Sequence, residues 1–214
     1  TIYYNLRKYK EAADVYQDYL NKFPNNPQSD LVFVRMNEAL TRSQNSEQYA
    51  RIIKNSVQFL QQKSPTNPYF PSVLLLRAQA YENTNQWVLA LDDYVSIVRN
   101  YTSDSSAKEA IIGASELLKK ANRHAEVLEL QRIYANQYGK DASLGEQWFD
   151  ICVEIFRQRK YKLVVPELVR LVQDYPTFGQ LDEFNYMLGV STYHTKDFAN
   201  SIIYLKRIQS TSNF

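Results

Sequence analysis

The side chains that could do chemistry in this 214-residue chain are few and poorly arranged for it. Cys152 is its one cysteine, and a thiol needs a base beside it to act as a nucleophile. The two histidines, His124 and His194, occupy different positions in different segments and read as solvated turn residues. Asp92-Asp93 and Asp182-Glu183 are adjacent carboxylates, but neighbours on a helix point about 100° apart, so neither pair shares a proton or a metal. They read as solvated helix faces. There is no Gly-rich phosphate loop, no Gly-x-Ser-x-Gly and no His-Glu-x-x-His. The residues give no catalytic, metal or cofactor site, and the chain reads as a non-enzyme. Two basic runs remain: Lys119, Lys120, Arg123, and Arg157, Arg159, Lys160, Lys162. Each is a solvated edge unless an acidic partner meets it.

The elements that carry these residues are set by one interval. A hydrophobic pattern returns every 37 residues: Trp87, His124, Tyr161 and Phe198 head one column, with Ala50 one step back. Ile53, Ala90, Val127, Val164 and Ser201 form the next, followed by Val57, Tyr94, Gln131, Leu168 and Leu205. The offsets between columns fall on one face of an α-helix. A leading helix precedes each of these with its own columns, in which Ala78, Ser115, Cys152 and Gly189 make one consistently small position. A small residue there lets two helices approach closely, so Cys152 reads as core and inert. A fixed period of this length with helical patterning signals a stack of helical hairpins.

These units resemble tetratricopeptide repeats (TPRs). The resemblance is carried by Leu188-Gly189, Tyr193, Phe198, Ile202 and Leu205; by Trp148, Ile155, Tyr161, Leu168 and Pro176; and by Tyr3, Leu6, Tyr9, Ala12, Tyr16 and Pro24. It implies an all-α, TPR-like α-solenoid, a right-handed superhelix of antiparallel helix pairs, with eleven or twelve helices. The units are placed at 1–26 (partial), 27–67, 68–104, 105–141, 142–178 and 179–214, as one solenoid section of a longer chain. After Ile208 no polar capping helix is expected. Between Tyr9 and Ala50 four residues are added to the interval, so a lengthened loop is expected at 41–46. Pro166 sits early in a second helix, which is therefore expected to start near Val164.

The period exceeds the usual TPR length by three residues. Together with Phe23-Pro24 and Tyr175-Pro176 it resembles the TPR proteins of bacterial cell envelopes. The implied function is a non-catalytic protein–protein interaction scaffold in a multiprotein assembly of outer-membrane biogenesis, motility or secretion. The alternative is a regulatory or sensor TPR domain fused to a catalytic or DNA-binding region outside this segment. The implied compartment is the periplasm or envelope, with the cytoplasm as the other choice. No stretch approaches a membrane span, the longest apolar run being Val73-Leu74-Leu75-Leu76. A formal charge of +2 leaves no footprint for nucleic acid.

In TPR proteins the leading helices line the concave groove that holds protein partners. Carried onto this sequence, that rule picks Leu75, Gln79 and Glu82; Ile112, Glu116 and Lys119; Phe149, Val153 and Phe156; and Tyr186, Val190 and Tyr193. The apolar members, Leu75, Ile112, Phe149, Val153, Phe156, Tyr186, Val190 and Tyr193, are the candidate partner contacts. The competing reading is that neighbouring helices bury them. The leading positions Leu75, Ile112, Phe149 and Tyr186 also lack the carboxylate clamp of Hsp70/Hsp90 co-chaperones.

Overall fold

Scarce glycine and long amphipathic runs leave this chain little choice but helix, and helix is what forms. A computed structural model describes residues 2–140 and 142–208. Among them lie twelve α-helices and no strand. In pairs they are α1 (Ile2–Asn5) and α2 (Tyr9–Lys22); α3 (Ser29–Arg42) and α4 (Ser46–Gln62); α5 (Phe70–Asn83) and α6 (Trp87–Asn100). Then come α7 (Ser106–Lys120) and α8 (His124–Tyr138); α9 (Ala142–Arg157) and α10 (Tyr161–Asp174); α11 (Asp182–His194) and α12 (Phe198–Leu205). A 3-10 turn at Pro176–Gln180 joins the last two pairs. The segment after residue 208, where no capping helix is expected, lies outside the described residues.

The reversal inside each pair is made the same way six times. One residue takes the left-handed backbone conformation: Arg7, Gln44, Asn85, Asn122, Arg159 and Lys196, with φ between 50° and 67°. None is glycine. In five of them the left-handed residue and its successor donate backbone hydrogen bonds to the end of the leading helix. Asn85 N–H bonds Glu82 O at 3.0 Å and Gln86 N–H bonds Tyr81 O at 2.8 Å. Lys196 and Asp197 repeat this on Tyr193 and Thr192. Two carbonyls that the helix leaves open are thereby satisfied. At Gln44 the neighbouring Ser43 hydroxyl caps Leu40 O instead, at 2.6 Å.

These residues correct two expectations. The left-handed positions are 37 apart except for the step from Gln44 to Asn85, so the added residues follow the turn. No lengthened loop exists at 41–46. The turn is as short as the others, and α4 is extended to 17 residues against 14 in α6. The residue matching Trp87 is therefore Ser46, the first of α4, and not Ala50. Nor does α10 start late. It begins at Tyr161 with Pro166 inside it. Pro166 and Lys162 are both exposed, so water can satisfy the Lys162 carbonyl that the proline leaves without its N–H.

The helices form two compact units, Thr1–Leu117 and Leu118–Phe214. In the first, α2 packs on α3, α4 on α5, and α5 on α6. Its core gathers Ala12, Val34, Met36, Leu40, Ile52 and Phe59, with Phe33 stacked on Phe59 at 4.7 Å. In the second, α9 packs on α10 and α10 on α11, while α11 packs on α12. Trp148, Ile155, Leu168, Leu171, Phe184 and Leu188 fill its core. Gly189 lets α12 close on α11: a Cβ there would meet Leu205 Cγ at 2.6 Å.

Each unit also buries an ion pair. Asp93 was expected on a solvated face, but it is 6 % exposed. It accepts both a 2.8 Å and a 2.7 Å bond from Arg77, joining α5 to α6. Burial pushes the Asp93 carboxyl up from its ordinary value, and the guanidinium pulls it back. In the second unit Arg132 of α8 meets the buried Glu167 of α10.

Two outcomes follow for stability. Lys196→Gly should raise the melting temperature by stabilising the fold about 1 kcal/mol, because glycine enters the left-handed region freely. Arg77→Met should destabilise by about 3–5 kcal/mol in urea titrations, leaving a buried carboxylate unpaired. With burial acting alone, the folded-state pKa of Asp93 lies above its unfolded value. Its contribution is then fully present at low pH and lost as pH rises through the carboxylate range, so the loss in Arg77→Met should be smaller near about pH 4 than near about pH 7.

Candidate partner-binding surfaces

In the first unit the leading helices α1, α3, α5 and α7 together line an open groove of about 400 Å³. Its apolar floor is Val34, Leu75 and Leu76, and its polar walls include Arg35, Glu38, Arg42, Gln79 and Glu109. The spacing along each helix explains this. Val34, Glu38 and Thr41 stand at the same distance before Gln44 as Leu75, Gln79 and Glu82 before Asn85, and all three line the groove. Arg35 donates to Glu38 at 2.8 Å, and that hydrogen bond raises the already high pKa of the guanidinium. The Arg42 guanidinium lies 5.9 Å from the Tyr4 ring centre. The walls thus carry both signs of charge over an apolar base. Such a surface can grip a polypeptide through side-chain hydrogen bonds and a few apolar anchors.

Of the residues picked from sequence, Leu75 is a floor residue of this groove and is largely buried. Ile112 of α7 is exposed, outside the groove lining. Val34, Glu38 and Thr41 belong to the second pair, which the expectation, confined to the four later pairs, does not include. Counting back from the left-handed residue finds them.

In the second unit the six candidates separate. Phe149 was expected on a wet face, but it is 9 % exposed. It packs 5.2 Å from Phe178 of the 3-10 turn and 6.4 Å from Phe184 of α11. The turn at Pro176–Gln180 folds back over α9 and covers it. Asn185 fastens this turn by donating to Gly179 O at 3.1 Å and Leu181 O at 2.9 Å. Val153, Phe156 and Val190 are half-buried, while Tyr186 and Tyr193 are exposed. Phe156 meets Tyr186 edge to face at 6.1 Å and Tyr161 at 5.9 Å. Tyr161 stacks on His194, which Tyr193 approaches edge-on, and Tyr193 touches Phe198 in the same manner. The rings form a continuous run from α9 to the start of α12.

One of the two histidines differs from its expectation as well. His194 is exposed, but His124 is 6 % exposed and opens α8. Its Nε2 pairs with the Gln158 amide at 3.0 Å. Burial holds its pKa below the ordinary value, helped by the nearby charge of Lys160. Cys152 is fully buried, and desolvation pushes its thiol far above its ordinary value. No group of His, Cys, Asp and Glu among the described residues is placed to hold a metal ion. No described helix is long and apolar enough to cross a membrane.

Phe149→Ala should cost about 3–5 kcal/mol in chemical denaturation, as truncation of a buried aromatic does. Tyr193→Ala, at a residue 58 % exposed, should stay within about 0.5 kcal/mol of the parent.

The sequence model of the tetratricopeptide repeat family matches residues 1–26. No curated protein matches the chain. Among solved structures, the crystal structure of BtubC (BKLC) from P. vanneervenii is similar at 10 % sequence identity. The match covers 94 % of this chain and 86 % of that one, with a TM-score of 0.51. At that identity the likeness shows the helical fold alone.

Proposed function

From a chain that carries a tetratricopeptide repeat at its start and folds as an all-α, TPR-like solenoid, we propose a non-catalytic protein–protein interaction scaffold within a larger assembly. The observation that carries this reading is the groove of the first unit. Four successive leading helices each contribute a side chain to it, so a bound segment would touch every repeat from Tyr4 to Glu109. Its apolar floor supplies burial, while Arg35, Glu38, Arg42 and Gln79 supply orientation. The half-buried and exposed rings of the second unit, Phe156, Tyr186 and Tyr193, add a further apolar surface of the kind that mediates association. The finer reading sets this scaffold in a bacterial envelope assembly of outer-membrane biogenesis, motility or secretion. Its support is the long repeat with Phe23-Pro24 and Tyr175-Pro176 after second helices.

A photo-crosslinking residue placed at Gln79 should trap a partner in cells, whereas the same residue at the exposed Lys54 of α4 should trap little. Mass spectrometry of the adduct should return an envelope protein. Equal trapping at both positions would remove the groove as the binding surface. A cytosolic partner would overturn the envelope placement and leave the scaffold standing.

A further inference from the structure

Three successive reversals of the second unit lie side by side. His124, the first residue after one of them, bonds Gln158 at the next at 3.0 Å. Tyr161, the first residue after that reversal, stacks on His194 at the third, with ring centres 4.3 Å apart and planes 3° from parallel. The basic runs of the sequence are therefore gathered along one edge.

Not every cation on this edge is available. Arg123 is paired with Glu126 at 2.6 Å and Arg157 with Glu154 at 2.9 Å. Arg159, Lys160 and Lys162 are exposed and make no side-chain ion pair or hydrogen bond among the described residues. With Tyr161, Leu163, His194 and Thr195 they line a shallow cavity of about 410 Å³. No carboxylate lines it. Three like charges held at one reversal repel one another, and an anionic ligand relieves that repulsion.

We propose that this edge docks an acidic segment of a protein partner, its carboxylates meeting Arg159, Lys160 and Lys162 while an apolar side chain enters beside Tyr161 and Leu163. This rests on the reading of the chain as an interaction scaffold. Carboxylates fit the edge better than nucleic acid does. Base stacking needs open ring faces, yet one face of Tyr161 is covered by His194, and Tyr193 is set edge-on to His194 and Phe198. The charge is also local, since acids and bases nearly cancel over the chain and no long stripe follows a phosphate backbone.

The test uses the full 214-residue chain and a fluorescein-labelled hexaglutamate peptide with one central leucine, read by fluorescence anisotropy. Lys160→Glu/Lys162→Glu should weaken binding at least about tenfold, since like charges then face the peptide. Arg170→Glu/Lys206→Glu makes the same change in net charge on exposed residues away from the edge, and should stay within about twofold at ordinary salt. Circular dichroism should show unchanged helix content in both variants. Absence of peptide binding, or an equal loss in both variants, would falsify the assignment. So would tighter binding of a 12-residue oligothymidine or of phosphatidylserine vesicles than of the peptide. Failure here leaves trapping at Gln79 free to succeed, so the edge can fall while the scaffold reading stands.

Discussion

Every hairpin in this protein depends on one residue held in the left-handed region between two helices. That conformation costs energy for any residue with a Cβ. It persists because the reversal it makes is closed by backbone hydrogen bonds and by two helices packed on each other. Three residues then suffice to turn the chain, and the first residue of the second helix lands at a fixed place. In five of the six pairs that place holds a ring: Tyr9, Trp87, His124, Tyr161 and Phe198. The contact between Tyr161 and His194 exists because successive reversals share this geometry.

The helical hairpins and their period were legible in the sequence, since apolar columns at helical offsets have no other economical explanation. The reversal residues were not. Arg7, Gln44 and Lys196 have no side-chain signature for positive φ, and the polar stretch around Ser43 looks like loop even where it is helix. An added turn inside α4 shifts its later residues by only about 40°, so the apolar stripe stays nearly in line and hides where the addition lies. Pro166 misled in a similar way. Its position in a second turn argues for a late start, yet an exposed carbonyl is all that its missing donor leaves behind.

The candidate surface was legible in pattern and partly wrong in exposure. The rule that picks leading-helix positions found Leu75 and Gln79 in the groove, but it also picked Phe149, which the turn after Tyr175 covers. Coverage by a segment outside the repeat pattern is invisible to periodicity. Polar residues in apolar columns tell a related story. Asn185 replaces a large apolar side chain and holds that covering turn by two backbone carbonyls. Arg77 and Asp93 satisfy each other between α5 and α6. What looks like decay of a repeat motif is here the site of a specific hydrogen-bonded contact.

Cys152 fits the packing role expected for it, and its solitude has a consequence for measurement. A thiol sealed among helices and held in its neutral form reacts with an alkylating reagent only when the surrounding structure opens. Because the chain has no other cysteine, all native-state labelling reports the opening of α9 and its neighbours. The protein thus carries its own clock for local unfolding in the second unit, readable without altering a residue.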